Sequence, residues 1–420
     1  MQPPMELDVL LTRVVEIGGS DLHLKLGQPP IVRRDGELGV LEDWQPIGPR
    51  ELNMVLETLT KHLPSKLQEF RQTGELDMAF THPTLPRFRV NGFRQRGALS
   101  FAFRVIPREV PTFEQLELPP GVASLSSYHR GLVLVTGATG AGKSTTLAAM
   151  VDHINRTRRQ HILTIEDPIE ILHSDRGCIV NQREVGLDTA SFGQALRRAL
   201  RQDPDVILIG ELRDRETAET ALQAAESGHL VMSTMHTIDV AETISRFVEL
   251  FPETKHKQIR SILAGVLRGV VSQRLLPRIG GGRIAAAEVM VTNARIADLV
   301  REGRPEEISD AIADGAFFQM QTFTQSLIAL VLEKRVDREI AANAASHRHD
   351  FLVELEHALK TQAAGEKGAG EKGEGEAGAS VGSLASVFAS SASGDAGRSP
   401  RPDQPPNDGG SLRIAGPEGE

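Results

Sequence analysis

The sequence predicts an α/β fold preceded by a small α+β domain, and three observations carry that prediction. From Gly131 to about Arg278, short apolar runs alternate with helical stretches, the pattern of a parallel sheet with crossover helices. One of those runs, Leu132–Val135, opens into GATGAGKSTT, a glycine-rich turn that leads into a helix. Before residue 107 the order is instead helix, hairpin, helix, hairpin, which suits an antiparallel sheet.

Taken in order, Met5 to Ile17 has apolar residues at helical spacing and stops at Gly18-Gly19. Asp21 to Leu26 alternates polar and apolar, as a half-buried strand does. Ile31 to Leu41 carries Asp35-Gly36, a hairpin signal. Arg50 to Phe70 reads as helix, broken by His62-Leu63-Pro64, and Arg87 to Ile106 as two strands joined near Arg96-Gly97. Pro107 to Ser127, rich in Pro and Leu, reads as a linker with a short helix. The strands expected beyond it are Leu132–Val135, Ile162–Ile165, Val206–Ile209 and Leu230–Thr234. The helices expected are Ser144–Thr157, Ser191–Arg201, Arg215–Ser227 and Val240–Leu250. From Lys255 to His357 the pattern is mostly helical, interrupted by one strand, Arg283–Val291, after Gly280-Gly281-Gly282. The domains are therefore set at 1–106, 128–360 with a linker at 107–127, and a tail at 361–420. That tail, with GEKGAGEKGEGEAG and SPRPDQPPNDGG, lacks the apolar residues for a core and reads as disordered.

A chain of 420 residues is long enough for two or more folded units. Its net charge of -9 argues against nucleic acid as the main partner. Cys178 is the single cysteine, so neither an internal disulfide nor a cysteine zinc site is expected, which suits a reducing compartment. No apolar run approaches the ~18 residues of a membrane span, and the N-terminus has no signal-peptide pattern. The expectation is a soluble, cytoplasmic protein.

Gly137, Gly142, Lys143 and Ser144 fit G-x-x-x-x-G-K-[ST] in its required context, strand then loop then helix. Here Gly137, Ala138, Thr139, Gly140, Ala141 and Gly142 would wrap a phosphate with backbone N–H groups, and Thr145 would follow at the helix start. Lys143 would reach the β- and γ-phosphates, and the Ser144 hydroxyl would hold Mg²⁺. The chain is expected to bind a nucleoside triphosphate.

Three further segments carry chemistry. ILTIEDPIE sets Glu166, Asp167 and Glu170 past the carboxyl end of a strand, the edge where open α/β sheets bind ligands. A nucleotide hydrolase needs such a carboxylate to orient or deprotonate water. DVILIGELRD is an apolar strand ending in an acid, the Walker B arrangement, except that Gly210 holds the usual aspartate position and the acid is Glu211. HLVMSTMH is a strand bracketed by His229 and His236, either of which could sense a γ-phosphate, organise the acids or be structural.

In this order the four segments resemble the Walker A, Asp, Walker B and His boxes of the secretion ATPases of type II secretion and type IV pili, where the glycine-glutamate Walker B is usual. Further stretches resemble one branch, the PilT-like retraction ATPases: GGSDLHLKLGQPPIVRRDGEL, RFRVNGFRQRGALSFAFRVIP, CIVNQREVGLD, AGVLRGVVSQRLLPR, ARIADLVREG and FQMQTFTQSL. The resemblance runs from about Glu6 to Lys360. Extension and secretion ATPases of the family carry a longer N-terminal region and usually a four-cysteine zinc module, which one cysteine cannot build. GLD after QREV looks more like the accessory PilU-like branch, whereas Arg213-Asp214 follows the retraction pattern, and both branches stay open.

The resemblance implies a PAS-like first domain, a RecA-like second domain with a helical C-terminal part, and a homohexameric ring with ATP between the two domains of a subunit. It implies an ATP-hydrolysing, Mg²⁺-dependent motor that drives pilus retraction and twitching motility from the cytoplasmic face of the inner membrane. Its partners there would be a pilus platform protein and, indirectly, the pilin fibre. An accessory, assembly or secretion ATPase and a non-motor nucleotide-binding regulator are the alternatives. By position, Lys143 and Ser144 hold phosphate and Mg²⁺, and Glu211 organises the Mg²⁺ shell. Glu170 is the first choice for the water-activating base and Glu166 the second, while His229 senses the γ-phosphate. Of Arg87, Arg89, Arg94, Arg96 and Arg104, with Arg96 and Arg104 the leading candidates, some are expected to reach the phosphates from the same or a neighbouring subunit.

Overall fold

Helix Leu7–Glu16 turns Leu7, Leu10, Leu11 and Val14 inward, and the apolar stripe needs a sheet to bury it. That sheet has six strands, β1 (Asp21–Lys25), β2 (Ile31–Arg34), β3 (Glu37–Val40), β4 (Glu75–Phe80), β5 (Arg87–Gln95) and β6 (Ala98–Ile106), in the order β3-β2-β1-β6-β5-β4. Every pairing is antiparallel. Arg34 pairs with Glu37, closing the expected hairpin, although Asp35 itself lies outside the described residues. Helices Pro49–Thr60 and Pro64–Thr73 each start on a proline, a residue suited to the first helical turn. Leu22, Leu24, Phe88, Val90, Phe101 and Phe103 form this region's core with residues of those helices. The sequence reading did not anticipate β4, a short outer strand.

The computed structural model describes residues 6–34, 36–107 and 109–370, with side chains as far as 362. Residues up to Glu356 form one body and those from His357 a second unit. Helix Arg348–Gly370 crosses the point at which the tail was expected to begin, so 361–370 is helical; 371–420 lies outside the described residues.

The second sheet has seven strands: β7 (Gly131–Thr136), β8 (His161–Glu166), β9 (Ile179–Glu184), β10 (Val206–Ile209), β11 (Leu230–Met235), β12 (Leu267–Pro277) and β13 (Arg283–Val291). Their order is β13-β12-β7-β11-β10-β8-β9. From β12 to β9 all neighbours are parallel, and β13 returns antiparallel on β12. β7, β10 and β11 are buried at every residue, as expected of strands covered on both faces. Helices Lys143–Thr157, Phe192–Ala199, Arg215–Glu226 and Val240–Glu249 cover the sheet. Three of them start on caps that accept a backbone N–H, Ser191 from Gln194, Asp214 from Thr217 and Asp239 from Glu242, at 3.2, 2.9 and 2.8 Å.

Two strands here correct the sequence reading. β12 falls in a stretch expected to be helical: helix His256–Val266 passes straight into it, with Leu267 already extended at φ -62 and ψ 126. The chain passes from helix to strand with no intervening turn, and the buried run through Val270 and Val271 has no alternation to betray a strand. Gly269 sits where a Cβ would meet Leu125 at 2.4 Å and the Met290 carbonyl oxygen at 2.5 Å, so only glycine lets β12 lie against its neighbours. β9 was missed because it is a polar outer strand. The parallel strands deliver β7, β8, β10 and β11 carboxyl ends to one edge of the sheet, and the loops that follow them build the site.

Candidate active site

β7 ends at Thr136, and the chain turns at Gly137 with φ 138, a left-handed value that side-chain-bearing residues rarely adopt. A Cβ there would also meet the Gln273 carbonyl oxygen at 2.4 Å. Helix Lys143–Thr157 begins immediately after Gly142, so the positive end of its dipole lies at the loop. The Lys143 ammonium is buried and donates to the carbonyl oxygens of Gly137 at 2.7 Å and Ala138 at 3.1 Å. Burial pushes its pKa down, against the opposing pull of Glu170 and Glu211.

A cleft of about 530 Å³ opens over this loop. Thr139 to Thr145 line it, and Gly137 and Ala138 belong to it through the carbonyls that hold Lys143. Glu166, Glu170 and Glu211 face the same cleft from the ends of β8 and β10. The two β8 acids differ. Glu166 accepts from the Thr164 hydroxyl at 2.7 Å and from the Gln182 amide at 3.1 Å. Burial pushes its pKa up, with those hydrogen bonds acting the other way. Glu170 is exposed to the cleft. Glu211 pairs with Arg213, and its other oxygen lies 3.5 Å from His236 Nε2.

His229 is a correction. It precedes β11, at the opposite end of that strand from the cleft, and its Nδ1 lies 3.0 Å from the Ala224 carbonyl oxygen. A strand of six residues rising about 3.3 Å each separates it from the site. His236, at the carboxyl end of the same strand, is the histidine that lines the cleft.

The arginines divide as well. Arg104, on β6, lines the cleft, and its Nε donates to Asp21 Oδ1 at 2.8 Å. Arg96 does not line it within the chain: it forms the β5–β6 turn at φ 51. Arg94 stacks over Phe70, 5.5 Å from the ring centre. Arg89 is exposed opposite Arg104. Arg87 is buried against Glu184.

Sequence reasoning did not select His236, His173, Arg213 or Arg283, all of which line the cleft. The rule that ligands bind at strand carboxyl ends would have chosen His236 over His229. For Arg283, brought in by the β12–β13 hairpin, no signal existed. A second hollow of about 420 Å³ continues from the cleft and shares Ala141, Gly142, Thr145, Leu275 and Arg283 with it. It runs under Gln115–Leu118, and buried Gln273, whose Nε2 donates to Thr146 at 2.9 Å, lines it.

Among the described residues no cluster of three or more His, Cys, Asp or Glu side chains forms a metal cage. Mg²⁺ does not need one: it keeps several waters and takes one or two protein oxygens beside those of phosphate. Ser144 and Glu211, both at the cleft, offer oxygens of the right kind.

Residues 120–350 match the family described as type II/IV secretion system protein. The type IV pilus retraction ATPase PilT of Pseudomonas aeruginosa is 44% identical over 347 residues, covering 83% of this chain and 100% of that protein. The type IV pilus ATPase PilU of the same organism is 39% identical, covering 83% and 90%. A crystal structure of the pilus retraction motor PilT with bound ADP superposes with a TM-score of 0.77 at 43% identity, covering 82% of this chain and 98% of that one.

Proposed function

This chain belongs to the type II/IV secretion system protein family, and from that membership we infer that it is an ATPase that hydrolyses ATP to drive retraction of type IV pili. The observation that carries the reading is one cleft joining a buried loop lysine to carboxylates from two other strands. The likeness to a retraction ATPase over that protein's whole length supports the cellular process.

In this reading the loop N–H groups and Lys143 bind the phosphates, and the base lies in the hollow beneath Gln115–Leu118. Ser144 and Glu211 would hold Mg²⁺, which would neutralise charge on the phosphate oxygens. Glu170 accepts the proton of the attacking water. It is better suited than Glu166, whose oxygen is already engaged by Thr164 and Gln182. His236 orients Glu211. Arg104 adds positive charge at the mouth, where its side chain is 69% exposed and accessible to a neighbouring subunit's site. The working unit is a homohexameric ring at the cytoplasmic face of the inner membrane, acting on a pilus platform protein. Among the described residues no helix is long and apolar enough to cross a membrane.

The test is phosphate release by purified protein, followed by retraction in a twitching bacterium stripped of its own retraction ATPase. Turnover that survives Lys143→Ala overturns hydrolysis at this cleft. A protein that turns over ATP yet restores no retraction overturns the pilus role alone. Restoration only beside a second retraction ATPase would mark the accessory role suggested by the likeness to PilU.

A further inference from the structure

We propose that Arg87 and Glu184 are a positioning pair that ties the first sheet to the acidic loop and sets Glu170 for hydrolysis. Arg87 opens β5 of the first sheet, and Glu184 closes β9 of the second, 97 residues away. Arg87 Nη2 donates to Glu184 Oε2 at 2.9 Å, with the two side chains only 10% and 8% exposed. The same oxygen accepts the backbone N–H of Ile169 at 3.2 Å. Ile169 is itself buried, at 3% exposure, and its next neighbour is Glu170. One carboxylate oxygen thus joins the first sheet's arginine to the loop that carries the base.

The chemistry argues for position over stability. A buried ion pair is weak evidence for stability, since an apolar pair of similar volume often serves as well. This pair also leaves Arg87 Nε buried without a partner, which an element selected for stability alone would avoid. Removing the arginine leaves Glu184 as an uncompensated buried charge, and the carboxylate must turn toward water or take up a proton. Either response weakens its hold on Ile169. Hydrolysis is thereby tied to the arrangement of the two sheets in which Arg87 reaches Glu184. The proposal rests on Glu170 acting at the cleft.

The experiment uses the full chain and compares Arg87→Ala, Arg87→Lys and Glu184→Gln with the unaltered protein. kcat and KM are measured by phosphate release per nucleotide-binding site, and affinity with a fluorescent ATP analogue. Arg87→Ala is expected to lower kcat about tenfold while KM and affinity stay within about twofold, the mark of a contact that matters after binding. Arg87→Lys should recover at least about half of kcat, because one charged donor is enough for the contact seen. Single-turnover rates complete the cycle: in a Glu170→Gln background, Arg87→Ala should add less than about a twofold loss, since both changes disable the same step. A tenfold loss in that background too would overturn the proposal, as would unchanged kcat or a parallel fall in affinity. If Arg87→Ala fails to fold, Glu184→Gln carries the same cycle. Should Lys143→Ala hydrolyse at the normal rate, the cleft assignment fails first, and the two failures are told apart.

Discussion

The two edges of the parallel sheet carry the same residue types and use them in opposite ways. At the amino ends of the strands, polar side chains are spent on backbone. The Asp205 carboxylate accepts from the His161 N–H at 2.9 Å, and the ring of His161 meets the Asp203 carbonyl oxygen at 3.0 Å. The Ala224 carbonyl oxygen, near the end of helix Arg215–Glu226, accepts the His229 N–H at 3.1 Å and the Ser227 hydroxyl at 3.0 Å, and His229 Nδ1 lies 3.0 Å from it as well. At the carboxyl ends, Glu166, Glu170, Glu211 and His236 converge on a cleft. The difference follows from chain direction. Each crossover helix begins beside the carboxyl end of a strand, so N–H groups and positive dipole ends gather there, and carboxylates and phosphates are welcome. Helices finish at the other edge, where carbonyls need donors. Residue type alone does not separate a cleft histidine from a structural one; the strand end does.

The largest effect that would break this comparison is at the loop. Lys143→Ala should lower steady-state phosphate release by at least about a hundredfold, because the phosphates lose a buried cation. Turnover near normal would mean that the carboxyl edge is not where hydrolysis occurs. Next comes the choice between acids on that edge. Glu170→Gln keeps shape while removing the base, so ATP should still bind and single-turnover hydrolysis should slow by about a hundredfold or more. Glu166→Gln should slow it less, since that oxygen is already engaged by Thr164 and Gln182. The reverse ranking would transfer the base to Glu166.

The histidines test the comparison most directly. His236→Ala should lower kcat by about tenfold, the low end of what losing a group that orients a metal-organising carboxylate costs. His229→Ala should leave kcat within about twofold and appear as a lower melting temperature. Equal kcat losses would erase the distinction between the edges.

How much of this was legible in the sequence depends on whether a feature is local. The loop motif, the acids of ILTIEDPIE and the Glu211 strand are contiguous, and each was read where the fold places it. β10 was expected at Val206–Ile209 and is found there, because an apolar run bounded by acids and glycine has clear ends. β12 was not legible: a helix feeds it with no turn, and its burial on both faces removes the alternation that marks a strand. β9 hid for the opposite reason, since Asn181, Gln182 and Arg183 make an outer strand look like a loop. The contacts of Arg87 and Arg283 depend on tertiary approach, and no local pattern reports them. His236 is legible from strand direction, which sets it, and not His229, at the carboxyl edge.

The smallest expected effect refines the comparison from within the charged edge. Glu288 lies on β13 in register with Ser272, whose hydroxyl is 2.8 Å from that of Thr136, the last residue before the phosphate loop. It nevertheless stays out of the cleft and accepts the Val240 N–H at 2.9 Å at the start of helix Val240–Glu249. Burial, reinforced by Asp239 and opposed by the Val240 hydrogen bond and by Arg274, pushes its carboxyl up to about 7. A folded pKa raised above the unfolded value means that the folded protein holds the proton more tightly. The stability this contributes is complete below about pH 4.5 and is lost as pH rises through about 7. Glu288→Gln keeps an acceptor for Val240 but has no proton to lose. Between pH 5 and 8 its melting temperature should therefore rise relative to the unaltered protein, by a few degrees. Its kcat should stay within about twofold, since the side chain is directed to backbone and not to the cleft. A melting-temperature difference that is flat across this range would show that Glu288 ionises as an ordinary carboxylate. The carboxyl edge would then hold no acid set apart from the cleft by burial, and strand end alone would account for how that edge is used.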